Sequence, residues 1–197
     1  DIRHFIMRLH LKNVVLIGWS IGCAVIQEYI KQFGGADLKG IVFDDQSPYF
    51  FKEAGWKLGL KRGNFTPKDL HAYIIGLQTN RYSLSVHGFK DYFYKPPPEE
   101  LLNWLIRESF RTPTALGACI NYDLGYRDYR PMLRQIRVPT LLFFGVGGNV
   151  FLPETGDYMR KQIPESKLVI FEKSGHCLHL EETEKFNREL QRWLNSL

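Results

Sequence analysis

The strongest constraint on this chain is a change of pattern between Val14 and Phe33. Val14-Val15-Leu16-Ile17 is an unbroken apolar run, Gly18-Trp19-Ser20-Ile21-Gly22 cuts it, and Cys23, Ile26, Tyr29, Ile30 and Phe33 follow at helical spacing as far as Gly34-Gly35. An apolar run without polar alternation predicts a strand buried on both faces, and the glycine pair predicts a helix stop. A strand that turns within a few residues into a helix is the first half of a crossover unit, so the sheet it enters is parallel and carries helices on its faces. The pattern recurs. Gly40-Ile41-Val42-Phe43 is a second strand, ending in Asp44-Asp45-Gln46-Ser47-Pro48. Pro139–Phe144 is a strand closed by Gly145, Glu154–Ile163 a helix, and Lys167–Phe171 a strand. Residues 172–179 are expected to form a loop, and Leu180–Leu197 a final helix with an apolar stripe of Leu180, Phe186, Leu190, Trp193, Leu194 and Leu197. Residues 1–12 read as a helix end with Phe5, Ile6 and Leu9 on one face.

Between the second and third strands the character changes. Residues 49–130 hold short amphipathic stretches broken by Gly63-Asn64, Pro67, Pro96-Pro97-Pro98 and Pro113, with aromatics crowded from Tyr49 to Phe110. This predicts a helical insertion, giving a core of residues 1–48 and 131–197 and an insertion of residues 49–130. Most of the aromatics should pack within the insertion; the rest could line a pocket. The fold class is therefore α/β: a parallel sheet, flanking helices and a helical insertion.

The chain has 197 residues, 44% hydrophobic and 24% charged, which argues against disorder and fibrous repeats. The net charge of +5 is spread among both signs, as in Arg127-Asp128-Tyr129-Arg130, and no nucleic-acid-binding signature accompanies it. No apolar run approaches the roughly 20 residues of a membrane span, so no membrane partner is expected. Cys23, Cys119 and Cys177 are odd in number and widely spaced, which predicts no disulfide framework and a reducing, cytoplasmic setting. His176 and His179 lack a third ligand at metal-site spacing, so no metal and no cofactor are expected.

Gly-x-Ser-x-Gly after a strand and before a helix has a chemical reading. A turn this tight strains the serine backbone and lifts its hydroxyl clear of the sheet. Gly18 and Gly22 would spare collisions with the neighbouring strand and helix, and the helix directs its positive end at the site. The N–H of Ile21 is then free to hold an oxyanion. A plainer alternative is a tight turn whose serine caps the helix. A serine also needs a base. His176, in Ser174-Gly175-His176 after the last strand, lies at the carboxyl edge of the sheet with Ser20, where parallel sheets place their sites. His179 and Glu181 are expected to support this loop.

These segments resemble the α/β-hydrolase fold family. Gly18–Gly22 is similar to its nucleophile elbow, Ser174–Glu181 followed by Phe186-Asn187 to its histidine loop, Ile136–Leu141 to the approach to a late strand, and residues 49–130 to its helical cap. The resemblance implies a serine hydrolase with Ser20 as nucleophile and His176 as base. It departs in two places. The family usually carries its acid as an aspartate just after the third strand here, where this chain has Gly145–Pro153, with Asn149 the nearest polar residue. Some relatives take the acid from the preceding strand instead, which implies Asp45, with Asp44 facing elsewhere because strand residues alternate. Asp45 as a structural turn residue, and Asn149 or Glu154 on the histidine, stay open. The family also places strands before the elbow strand, so Val14–Ile17 would be an exposed edge in a fragment, covered by another segment or a second copy.

The expected function is cleavage of a carboxylic ester, thioester or lactone of a small, partly apolar substrate. Carbon–carbon bond hydrolysis or perhydrolysis at the same site is an alternative, and so is a catalytically weak ligand-binding member of the fold.

Overall fold

The computed structural model describes residues 1–197. The order of elements is α1 (Ile2–Arg8), β1 (Val14–Trp19), α2 (Ile21–Phe33), β2 (Leu38–Asp44), the single turn α3 (Leu60–Gly63), α4 (Pro67–Thr79), α5 (Arg81–Asp91), α6 (Glu99–Ser109), α7 (Thr114–Gly125), a 3-10 turn (Arg130–Gln135), β3 (Thr140–Gly145), α8 (Pro153–Gln162), β4 (Ser166–Phe171), the short α9 (Leu178–Glu181) and α10 (Thr183–Leu194). The four strands form one sheet in the order β1-β2-β3-β4, with every neighbouring pair parallel.

The sheet is buried from two sides. Ile41, Phe43, Leu142 and Phe144 face one apolar core with Ile26 and Tyr29 of α2 and Met159 of α8. Their neighbours Val42, Leu141 and Phe143 face a second core with Phe186 and Trp193 of α10. The alternation of strand side chains thus turns a continuous apolar run into two packed layers. Between β2 and β3 the chain forms α3–α7 and no named strand, so residues 49–130 lie outside the sheet. α4 opens on a capping box: Thr66 Oγ1 accepts from Asp69 N at 3.4 Å while Asp69 Oδ2 accepts from Thr66 N at 2.9 Å, and Pro67 follows the cap.

β1 is an edge strand and only half-buried, with Ile17 half exposed: it is not covered on both faces as its apolar run predicts, and the exposed edge expected at Val14–Ile17 is present. Two further expectations need correction. On α1 only Ile6 is buried, while Phe5 and Leu9 are exposed. The final helix is not continuous from Leu180. Glu182, at φ −123° and ψ 52°, separates α9 from α10, and its carboxylate accepts from Lys173 N at 2.9 Å and Ser174 Oγ at 2.7 Å. The break lets one residue of this stretch turn back to brace the loop after β4. Leu180 consequently leaves the apolar stripe and is exposed.

Candidate active site

The site is built where β1, β2 and β3 end. In the parallel register Trp19 pairs with Asp44, so Ser20 and Asp45 are the next residues out of adjacent strands. Both take a left-handed backbone that L residues seldom adopt: Ser20 at φ 51° and ψ −121°, Asp45 at φ 53°. Each is held there by the sheet. Ser20 N–H donates to the Asp44 carbonyl at 3.0 Å, and Asp45 N–H donates to the Phe143 carbonyl at 2.9 Å.

Ser20 occupies the N-cap position of α2 but makes no capping hydrogen bond with its side chain, which removes the reading of Ser20 as a helix cap. Ile21 is the first residue of α2, where an N–H has no acceptor within the helix. Gly18 is needed because a Cβ there would meet the backbone of Gly22 and lie 2.7 Å from Cys23 N. Gly22 differs from expectation: a Cβ on it meets nothing within 4 Å, so its hydrogen relieves no collision in this chain.

His176 reaches the site from the far side of β3. The loop after β4 crosses directly over the end of β3, and Gly145 permits the crossing. A Cβ at Gly145 would run into the carbonyls of Ser174 and Gly175 and stand 3.0 Å from Leu178 Cδ2. The crossing brings His176 Nδ1 to 2.6 Å from Asp45 Oδ2, a buried contact in which both residues are nearly inaccessible to solvent. The other carboxylate oxygen of Asp45 accepts from Gly145 N at 3.3 Å. Burial pushes the Asp45 carboxyl up. The hydrogen bond with His176, the charge of His176, the Gly145 N–H and the Arg62 charge act in the opposite direction.

The main chain and ring of His176 are both fixed. Its N–H donates to the Tyr92 carbonyl at 2.6 Å, and its carbonyl accepts from Trp19 Nε1 at 2.7 Å. The rings of Trp19, Tyr92 and Phe151 pack around the imidazole with centroids 5.1, 4.9 and 5.7 Å away. With Nδ1 engaged by a carboxylate, Nε2 is the nitrogen left to meet Ser20. Ser20, Ile21 and His176 line one cavity of about 460 Å³. The insertion supplies much of its apolar wall, including Phe65, Leu70, Leu77 and Phe89.

The other candidates lie elsewhere. His179 Nδ1 is 3.2 Å from Asp44 Oδ2, and its ring packs edge-on against Trp19 with centroids 5.2 Å apart. Burial pushes the Asp44 carboxyl up, and contact with His179 counters it. Glu181 braces the histidine loop, accepting from Gly175 N at 2.7 Å and from Tyr94 N at 2.8 Å. Asn149 makes no hydrogen bond with His176: its N–H donates to the Asp91 carbonyl at 3.1 Å and its side chain to Asp91 Oδ1 at 3.4 Å. Glu154 sits exposed in the first turn of α8. No group of three metal-ligating side chains is present, and no helix is long and apolar enough to cross a membrane. All three cysteines are free.

Trp19, Tyr92 and Gly145 were not singled out from sequence for these contacts. Trp19 stands at a variable position of the pentapeptide, Tyr92 is one aromatic among many, and Gly145 reads as an ordinary strand stop.

Comparison with known proteins supplies independent findings. A sequence model described as "Alpha/beta hydrolase family" matches residues 1–189. The AB hydrolase superfamily protein YisY of Bacillus subtilis (strain 168) is 28% identical over 197 residues, which is all of this chain and 72% of that protein. A pimeloyl-[acyl-carrier protein] methyl ester esterase of Nitrosomonas europaea is 28% identical over 175 residues, covering 86% of this chain and 66% of that protein. Among solved structures, the esterase EaEST from Exiguobacterium antarcticum superimposes with a TM-score of 0.91 at 29% identity, covering 99% of this chain and 71% of that one. The chain thus spans roughly two thirds to three quarters of the length of these relatives.

Proposed function

The chain belongs to the alpha/beta hydrolase family, and on that footing we propose that it is a serine hydrolase that cleaves carboxylic esters, thioesters or lactones of small, partly apolar substrates. The observation that carries this reading is the buried 2.6 Å contact of His176 with Asp45, opening on the cavity that Ser20 shares. Two relatives described as esterases support the ester class.

In this reading Ser20 Oγ attacks the carbonyl carbon and passes its proton to His176 Nε2. The Ile21 N–H stabilises the oxyanion, and Asp45 stabilises the imidazolium. Collapse breaks the bond to the leaving group, which takes the proton from Nε2. Water then attacks the acyl-enzyme, gives a proton to Nε2 and releases the acid, and the proton returns to Ser20 Oγ. The apolar wall of the cavity binds the acyl part, and no metal or cofactor enters any step.

A fluorophosphonate probe tests this directly. It should label Ser20 in the folded protein, and Ser20→Ala should lose labelling together with p-nitrophenyl ester hydrolysis, by about three or more orders of magnitude. Hydrolysis retained within about tenfold in Ser20→Ala would overturn the serine mechanism. A folded protein that neither labels nor hydrolyses would favour a ligand-binding member of the fold.

A further inference from the structure

Arg62 lies on the single turn α3, within the insertion, and no acid–base step above uses it. Its backbone is unusual. Lys61 (φ 51°, ψ 47°) and Arg62 (φ 54°, ψ 40°) are consecutive non-glycine residues in the left-handed region, which L residues hold only where the surroundings over-determine them. The surroundings are three carbonyls of one loop, the segment between β3 and α8. Arg62 Nε donates to Gly148 at 2.8 Å and Nη2 donates to Val146 at 3.0 Å, while the Arg62 main-chain N–H donates to Val150 at 3.1 Å. That loop starts at Gly145, whose N–H donates to Asp45. Arg62 is half-buried, and it is absent from the cavity wall although its neighbour Lys61 lines it.

We propose that Arg62 is a positioning residue: its forked grip on the loop after β3 holds Gly145, and through Gly145 the carboxylate of Asp45, in register with His176. The inference rests on the proposed hydrolase reading for its kinetic consequence, but not for the contact itself. A lysine cannot reproduce the grip, because one ammonium does not span two carbonyls as a planar guanidinium does. Charge adds a second effect. The titratable groups around the Asp45–His176 pair are Asp44 on β2, Cys23 on α2, Cys177 and His179 at α9, Tyr92 and Asp91 of the insertion, and Lys61 on the cavity wall. The charge of Arg62 disfavours protonation of the Asp45 carboxyl.

The test combines kinetics with proton NMR of the His176 Nδ1 proton, the one facing Asp45 Oδ2, in wild type, Arg62→Met and Arg62→Lys at one fixed pH. In Arg62→Met that resonance should move upfield, since a carboxylate no longer held in register leaves the short contact with Nδ1. The kcat for a p-nitrophenyl ester should fall about tenfold or more through misplacement of the pair, while KM stays within about twofold because Arg62 does not line the cavity. Arg62→Lys keeps the charge and loses the fork, so it should show the same upfield move and the same fall in kcat. A folded Arg62→Met with unchanged resonance and kcat overturns the proposal, as does an Arg62→Lys with full kcat. If Arg62→Met does not fold, the lysine variant decides. The NMR readout needs no activity, so failure of the hydrolase reading would show as an inactive wild type, separately from failure of the Arg62 role.

Discussion

Asp45→Asn is the substitution whose consequence the geometry works out most fully. The two carboxylate oxygens of Asp45 meet two N–H donors: Oδ2 faces His176 Nδ1 at 2.6 Å, and Oδ1 accepts from Gly145 N at 3.3 Å. An asparagine of the same shape has one acceptor oxygen and one donor NH2. If the oxygen stays on Gly145, the NH2 faces Nδ1 and forces the imidazole to accept there, which puts the proton on Nε2 and leaves nothing to take the proton of Ser20. If the oxygen turns to His176, the NH2 is driven against the Gly145 N–H in a buried site, and the imidazolium still lacks a negative partner. Either arrangement predicts a loss of about 10⁴ in kcat, close to 5.5 kcal/mol of transition-state stabilisation, the size known for a lost triad carboxylate. Steady-state hydrolysis of a p-nitrophenyl ester, with circular dichroism and a thermal melt to confirm the fold, measures it. Asn149→Ala is the control, because Asn149 bonds to Asp91 and not to His176, and its rate should stay within about tenfold of wild type. An Asp45→Asn variant that is folded and within about tenfold of wild type would refute the assignment, and a large loss in the control alone would move the acid to the loop after β3.

Two further outcomes concern stability. His179→Ala removes the partner of Asp44, a carboxylate that burial already pushes up, and should cost about 1–3 kcal/mol by chemical denaturation while sparing turnover per folded molecule. Removing His179 takes away two influences that lower the Asp44 carboxyl, so its pKa rises further: the cost should be smallest below the unfolded-state value of about 4 and grow as pH rises through the folded one, and an equal cost at pH 3 and pH 8 would contradict the assignment. Thr66→Ala opens the capping box of α4 and should cost about 1 kcal/mol at pH 7. The side-chain hydrogen bond from Thr66 holds the Asp69 carboxyl below its usual range, so this contribution is present above the unfolded-state value of about 4 and is lost as pH falls through the folded one. Equal destabilisation at pH 7 and pH 3 would show that the box does not act through the ionised Asp69.

What could be read from sequence, and what could not, divides along the range of the interactions. The strands β1–β4 and the helices α2 and α8 are legible within a residue or two, because an apolar run between breakers and a helical stripe are local patterns. The apolar run Val14–Ile17 does not by itself show that β1 lies at the sheet edge; that expectation comes from setting the chain against the family's strand order. The break at Glu182 was not legible, because it is set by a carboxylate reaching back to Lys173 and Ser174. The site divides in the same way. Ser20 and His176 announce themselves by local context, whereas choosing Asp45 over Asp44 depends on a single backbone step. Asp44, the last residue of β2, directs its carboxylate to His179; Asp45, one step on and at φ 53°, meets His176 instead. Ser20 makes a left-handed step at the same height on the adjacent strand. Two neighbouring parallel strands therefore each end on a positive-φ residue, one presenting a hydroxyl and the other a carboxylate. Gly145 at the end of the next strand leaves room for the imidazole loop to cross to that carboxylate. The spacing of the proposed nucleophile and acid thus follows from the strand separation of about 4.8 Å in a sheet, and the insertion has only to hold the crossing loops still, as Tyr92 does for His176.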